Sequence, residues 1–151
     1  MNAEQKASAA LNQLGAEIIW LGTSGVDSVH FTRERITDDD LTHLKGLTNL
    51  KKLKLNHSPI TDAGLKRLQS LTSLVQLHLA DTKITDAGLK HLTSLKNLGF
   101  LDLSDTQVTN AGMEYLKSFT KCKTIRLSGT NVTGTGVNKL KQALTSCKVT
   151  Q

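Results

Sequence analysis

The sequence predicts an α/β chain wound as a β-α solenoid. Three observations carry that expectation. First, the segment at residues 84–89, ITDAGL, returns at 60–65 and, as VTNAGM, at 108–113, each time at an offset of 24 residues. A fixed period of this length is the mark of a solenoid or array. Second, each copy changes its hydrophobic spacing part-way, from alternate residues to every third. Alternation is strand behaviour, and the wider spacing is helical. Third, the apolar positions recur while the residues between them vary.

The chain has 151 residues, which is one domain on length alone and enough for a sizeable core. Aromatics are 3% of the residues, and leucine is the commonest apolar residue. The net charge is +6, with Lys and Arg spread along the chain rather than gathered in one run. Such spreading permits a polyanion or nucleic acid as partner but does not favour one. No stretch approaches the ~18 apolar residues of a membrane span. No signal peptide is visible at the start, which favours the cytoplasm and leaves a secreted or host-directed protein open.

Residues 3–14 are expected to form a helix, with Ala7, Ala10, Leu11 and Leu14 at helical spacing and Gly15 as its stop. Residues 17–21 and 26–31 are rich in β-formers, and residues 22–25 between them predict a hairpin turn. Residues 1–28 are therefore read as an N-terminal cap, since a solenoid leaves an apolar face open at each end. Trp20 is expected to serve there as a large apolar lid.

From residue 29 the repeat takes over. Its units are 29–52, 53–76, 77–100, 101–124 and 125–151, on the pattern LxLxxTxITDAGLxxLxxLxxLxx. Leu53, Leu55, Ile60, Leu65, Leu68, Leu71 and Leu74 are the expected core of the second unit. The last unit slips by one residue after Leu140, so its end merges into a C-terminal cap. Thr61 or Asp62 is placed to cap the helix. The recurrence of Gly64 as Gly88 and Gly112 predicts close packing where a side chain would not fit. Ser58, Thr82, Thr106 and Thr130 recur just before the helix, and are expected to bond backbone of their own and the next coil.

This arrangement resembles a leucine-rich repeat over residues 29–148, in the 24-residue bacterial form with ITDAGLKxL units, and is similar also to the repeats of F-box adaptor proteins. The resemblance implies a right-handed solenoid with a parallel sheet on its concave side and helices on its convex side. It implies a protein that binds other proteins and is not an enzyme. The first unit departs from the pattern by placing Glu34 at the Thr position.

The residues between the strand leucines should face the open concave sheet. They form three columns: Ser28, Lys52, Gln76, Phe100 and Thr124; His30, Lys54, His78, Asp102 and Arg126; Thr32, Asn56, Ala80, Ser104 and Ser128. A rigid frame carrying varied side chains suits recognition. Lys52, Lys54, Gln76, His78, Phe100, Asp102 and Arg126 are the expected partner-binding residues, with Phe100 as an exposed aromatic anchor inside a polar rim.

Other chemistry finds little support. No nucleophile, base and acid come together in the sequence. His30 and His78 lie two coils apart, too far to share a metal ion, and all five histidines read as surface residues. Residues 128–136 lack the Lys-Ser/Thr ending of a phosphate loop. No cofactor or metal is expected, and a monomer is. Lys45, Lys66, Arg67, Lys90, Lys117, Lys139 and Lys141 are read as a solvated convex face. No aromatic interleaving supports base stacking among them, which argues against nucleic acid. Cys122 and Cys147 occupy matching positions of adjacent coils, within disulfide reach. Buried free thiols are the simpler reading.

Overall fold

The computed structural model describes residues 2–31 and 35–151. Thr32 and Glu34 lie outside the described residues.

Helix α1 (Ala3–Gln13) starts on a capping box. Asn2 Oδ1 accepts from the Gln5 N–H at 2.8 Å, and the Gln5 side chain accepts from the Asn2 N–H at 2.9 Å. Ala7 and Leu11 are its buried apolar residues. Ala3 and Ala7 lie against Gly46 in the first turn of the array. Glu4 ties the helix to the sheet by accepting from the Val26 N–H at 2.7 Å.

Strands β1 (Ala16–Trp20) and β2 (Val26–Phe31) form the expected hairpin, joined through a 3-10 turn at Gly22–Ser24. From β2 onward every strand is parallel to the last: β3 (Lys52–Lys54), β4 (Gln76–His78), β5 (Phe100–Asp102), β6 (Thr124–Arg126) and β7 (Lys148–Thr150). The sheet order is the chain order, β1 to β7. The end of the last unit thus returns to the sheet as a strand of its own.

Val29, Leu53, Leu77, Leu101, Ile125 and Val149 stand side by side in the register. All of the expected apolar positions of the second unit, from Leu53 to Leu74, are fully buried. Each such leucine contributes about 1.5–3 kcal/mol relative to an exposed one.

The convex side holds α2 (Asp62–Arg67), α3 (Asp86–Leu89), α4 (Met113–Leu116) and α5 (Gly134–Ala143), with 3-10 segments at Asp40–Gly46, Lys90–Leu92 and Asn110–Gly112. These helices are shorter than the sequence suggests, for a visible reason. Leucines three apart are themselves the bonded pairs of successive tight turns. The N–H groups of Leu68, Leu71 and Leu74 donate to the carbonyls of Leu65, Leu68 and Leu71, each at 3.0 Å. A spacing of three is the 3-10 period rather than the α period. Of the convex helices only α5 reaches ten residues, and it contains the one-residue slip: Leu144 N–H donates to the Leu140 carbonyl, four residues back, at 2.9 Å.

Adjacent coils are stitched by a side-chain ladder. Asp38 accepts from both the N–H and the Oγ1 hydroxyl of Thr61, at 2.9 and 2.6 Å. Asp62 does the same for Thr85, and Asp86 for Thr109. Asn110 completes the series on Thr133, accepting from its N–H and donating to its hydroxyl. The helix cap is thus Thr61, which accepts from Ala63 N–H, while Asp62 reaches the next coil. Gly64, Gly88, Gly112 and Gly136 meet these carboxylates and the Asn110 amide, where a Cβ would collide with the oxygen.

The hydroxyls of Ser58, Thr82, Thr106 and Thr130 bond only within their own coil. They donate to the carbonyls of Leu55, Leu79, Leu103 and Leu127 at 2.5 to 2.7 Å. The expected bond to the next coil is absent from the described residues. Just before each hydroxyl, His57, Asp81 and Asp105 adopt φ of 58°, 54° and 56°, and Gly129 takes 70°. This recurring left-handed turn leads the chain out of the sheet.

Trp20 does not act as a lid and is 45% exposed. It is the last residue of β1, beside a register shift between Ile19 and Trp20. Leu11, Val26 and Val29 are the fully buried residues of α1, β1 and β2 instead.

Candidate functional site

The first two concave columns form as the sequence predicts, and both are longer than expected. One row runs Ile19, Ser28, Lys52, Gln76, Phe100, Thr124 and Lys148 across the seven strands. The parallel row runs Glu17, His30, Lys54, His78, Asp102, Arg126 and Thr150. The third column is partly taken up by the fold. Asn56 Oδ1 accepts from Ala80 N–H, and Ser104 bonds Asp102.

Phe100 is half-buried rather than fully exposed, because its neighbours close in on it. The His78 ring lies 4.7 Å from its centroid at 35°, and Arg126 Cζ sits 5.2 Å over its face. The latter is a cation–π contact. Asp102 departs further from expectation and is only 6% exposed. Its Oδ1 accepts from the Ser104 N–H and hydroxyl at 3.0 and 2.7 Å, while Oδ2 lies 3.5 Å from Arg126 Nη1. It holds Arg126 in place and is not open to solvent.

His78 is not an ordinary surface histidine. Its Nε2 is buried without a hydrogen-bond partner. Burial, followed by the charges of Lys52 and Lys54, lowers its pKa from 6.5 to about 4, with Asp102 opposing and Arg126 assisting. The ring is therefore neutral at pH 7. Lys52, Lys54 and Gln76 are half-exposed beside it, and among the described residues neither lysine makes an ion pair.

The family model described as Leucine Rich repeat matches residues 46–68, 70–93 and 90–117. Between residues 46 and 117 the chain is built of leucine-rich repeats. Among solved structures it is similar to an internalin (inlF) of Listeria monocytogenes, with a TM-score of 0.72 and 25% identity over 85% of this chain and 35% of that one. A second Listeria monocytogenes internalin (inlC2) gives 0.61 and 25%, over 72% and 44%. A leucine-rich repeat protein of Leptospira interrogans gives 0.50 and 21%, over 72% and 33%, and supports the fold alone. The chain spans less than half the length of each of these bacterial proteins. No curated protein matches it.

Elsewhere on the leucine-rich repeats the side chains have local roles. On the convex face Arg67 pairs with Asp39 at 2.5 Å and Lys117 with Glu114 at 2.7 Å. His57 meets Asp81 at 3.1 Å, and His91 meets Gln69 at 2.6 Å. No cluster that could hold a metal ion occurs among the described residues, and no described helix is long and apolar enough to cross a membrane. Cys122 and Cys147 are free thiols. Burial pushes the Cys122 pKa up to about 12, and it raises that of Cys147 as well.

Sequence reasoning missed Ile19 and Glu17. Both sit on an antiparallel strand outside the repeat, where the 24-residue offset says nothing. The alternation of β1 was the available signal.

Proposed function

We propose that this leucine-rich repeat chain is a protein-interaction module that catalyses nothing itself and presents its concave rows to a protein partner. One observation carries this reading: Phe100 is held between His78 and Arg126 in the middle of the face. An aromatic and an Arg fixed in advance lose little freedom on binding, which is what an interface anchor requires. The leucines that hold the frame are buried and constant, while the two rows vary from strand to strand.

Affinity capture from the source organism, with Phe100→Ala and Arg126→Ala as parallel baits, tests this. The captured protein is expected to bind each variant about tenfold or more weakly. Affinities within a factor of two of the native chain would rule the concave face out. Binding to DNA or RNA that survives about 0.2 M salt would replace the protein partner with a nucleic acid.

A further inference from the structure

The row that contains Phe100 ends on β1 at a second apolar side chain. Ile19 pairs with Ser28 and is 59% exposed. It faces the same hollow as His30, Lys52 and Lys54. Four strand steps separate Ile19 from Phe100, or about 19 Å. The two apolar groups thus bracket the middle of the face.

What lies between them is cationic and unmet. Lys52 and Lys54 have no ion pair among the described residues. Beside them His78 Nε2 is buried without a partner. Of the acids in the same rows, Asp102 is held by Ser104 and Arg126, while Glu17 lines the β1 end of the same hollow, 3.5 Å from His30 and without an ion pair to either lysine. Burial first, and then both lysines, depress the proton affinity of His78. A nearby anion would meet both lysines. A carboxylate accepts from both ammonium groups, and charge-assisted bonds of this kind are the stronger ones.

Resting on the concave-face reading above, we infer that the face takes an acidic protein segment lying across the strands, with a carboxylate against Lys52 and Lys54 and apolar side chains over Ile19 and Phe100. An extended segment covers the distance between those two with about six residues. A nucleic acid fits the arrangement less well. Its phosphates need cations spaced along a track and its bases need stacking platforms. Here the cations form one central group with an aliphatic side chain at one end.

The test is selection of random peptides of about a dozen residues against the full chain. It is followed by titration of the enriched peptides against variants checked for folding by circular dichroism. The expected peptides carry acidic residues flanked by apolar ones. Their affinity should fall about tenfold or more in the Lys52→Glu/Lys54→Glu double variant. It should fall several-fold in Ile19→Ser and stay unchanged in the convex variant Lys66→Glu. Neutral or basic peptides that still depend on Phe100→Ala would overturn the acidic partner while leaving the concave face standing. Acidic peptides indifferent to every concave variant would overturn both. A selection that enriches nothing overturns the acidic segment. So does an oligonucleotide that competes fully with the enriched peptides.

Discussion

The carboxylate of Asp62 occupies the space that a side chain on Gly88 would need. Its two oxygens are committed to Thr85, one to the N–H at 2.9 Å and one to the hydroxyl at 2.6 Å, so it has little freedom to move away. The glycine and the aspartate one coil earlier therefore form a unit. Gly88→Ala is expected to cost about 1–3 kcal/mol through overpacking. Asp62→Ala should cost a similar amount by leaving two donors unmet. The double variant should cost less than the sum, because removing the carboxylate opens room for the new methyl. Urea unfolding of the four proteins measures the coupling. Strict additivity would show that the glycine serves some other purpose.

Thr82 fastens the turn between strand and helix with one bond, from its hydroxyl to the Leu79 carbonyl at 2.7 Å. Thr82→Val keeps the shape and removes the donor, leaving a buried carbonyl short of a partner. A loss of about 1–2 kcal/mol is expected in urea unfolding. Thr42→Val offers a control, since that hydroxyl bonds the Asp39 carbonyl at an exposed site.

His78 should make stability depend on pH. Folded, its pKa is lowered from 6.5 to about 4, so the unfolded chain binds more protons across that interval. Stability is fully present above about 6.5 and falls as pH drops from there toward about 4. Replacing His78 with Gln removes this component. The difference between native and His78→Gln urea midpoints, followed from pH 7.5 to about 4, should shrink as the pH falls. A constant difference would mean that the ring titrates as it does in water.

The thiols should resist alkylation. The thiolate is the reactive form, and Cys122 has its pKa pushed up to about 12 by burial. At about pH 8 the folded chain should react slowly with iodoacetamide, Cys147 ahead of the buried Cys122. Unfolding in urea should bring both to the same rate. Peptide mapping by mass reads the order.

The leucine frame was legible because a buried position tolerates only apolar side chains, so Leu53, Leu77 and Leu101 repeat and their alternation betrays the strands. The two rows followed from that alternation. Less was legible where neighbours decide the outcome. Phe100 is closed in by His78 and Arg126 from flanking strands, and Asp102 by Arg126 and Ser104. A column read along one position does not see the diagonal contacts around Phe100, nor Ser104 two residues further along the strand from Asp102. The reach of Asp62 into the next coil was hidden for the same reason, although aspartate and glycine recur in step at 62 and 64, and at 86 and 88. Trp20 was misread because its size suggested burial, whereas its place as the last residue of β1 leaves it half-exposed.

The ladder from Asp38 to Thr133 also makes the chain count its own residues. Each acceptor finds its donor 23 positions later. A duplicated or deleted block of 24 returns every acceptor to an equivalent donor. A change of any other length strands a carboxylate facing the wrong residue and a threonine with nothing to hold. Length in this array is quantised, and a coil can be gained or lost as a unit while the side chains on the two concave rows change one at a time.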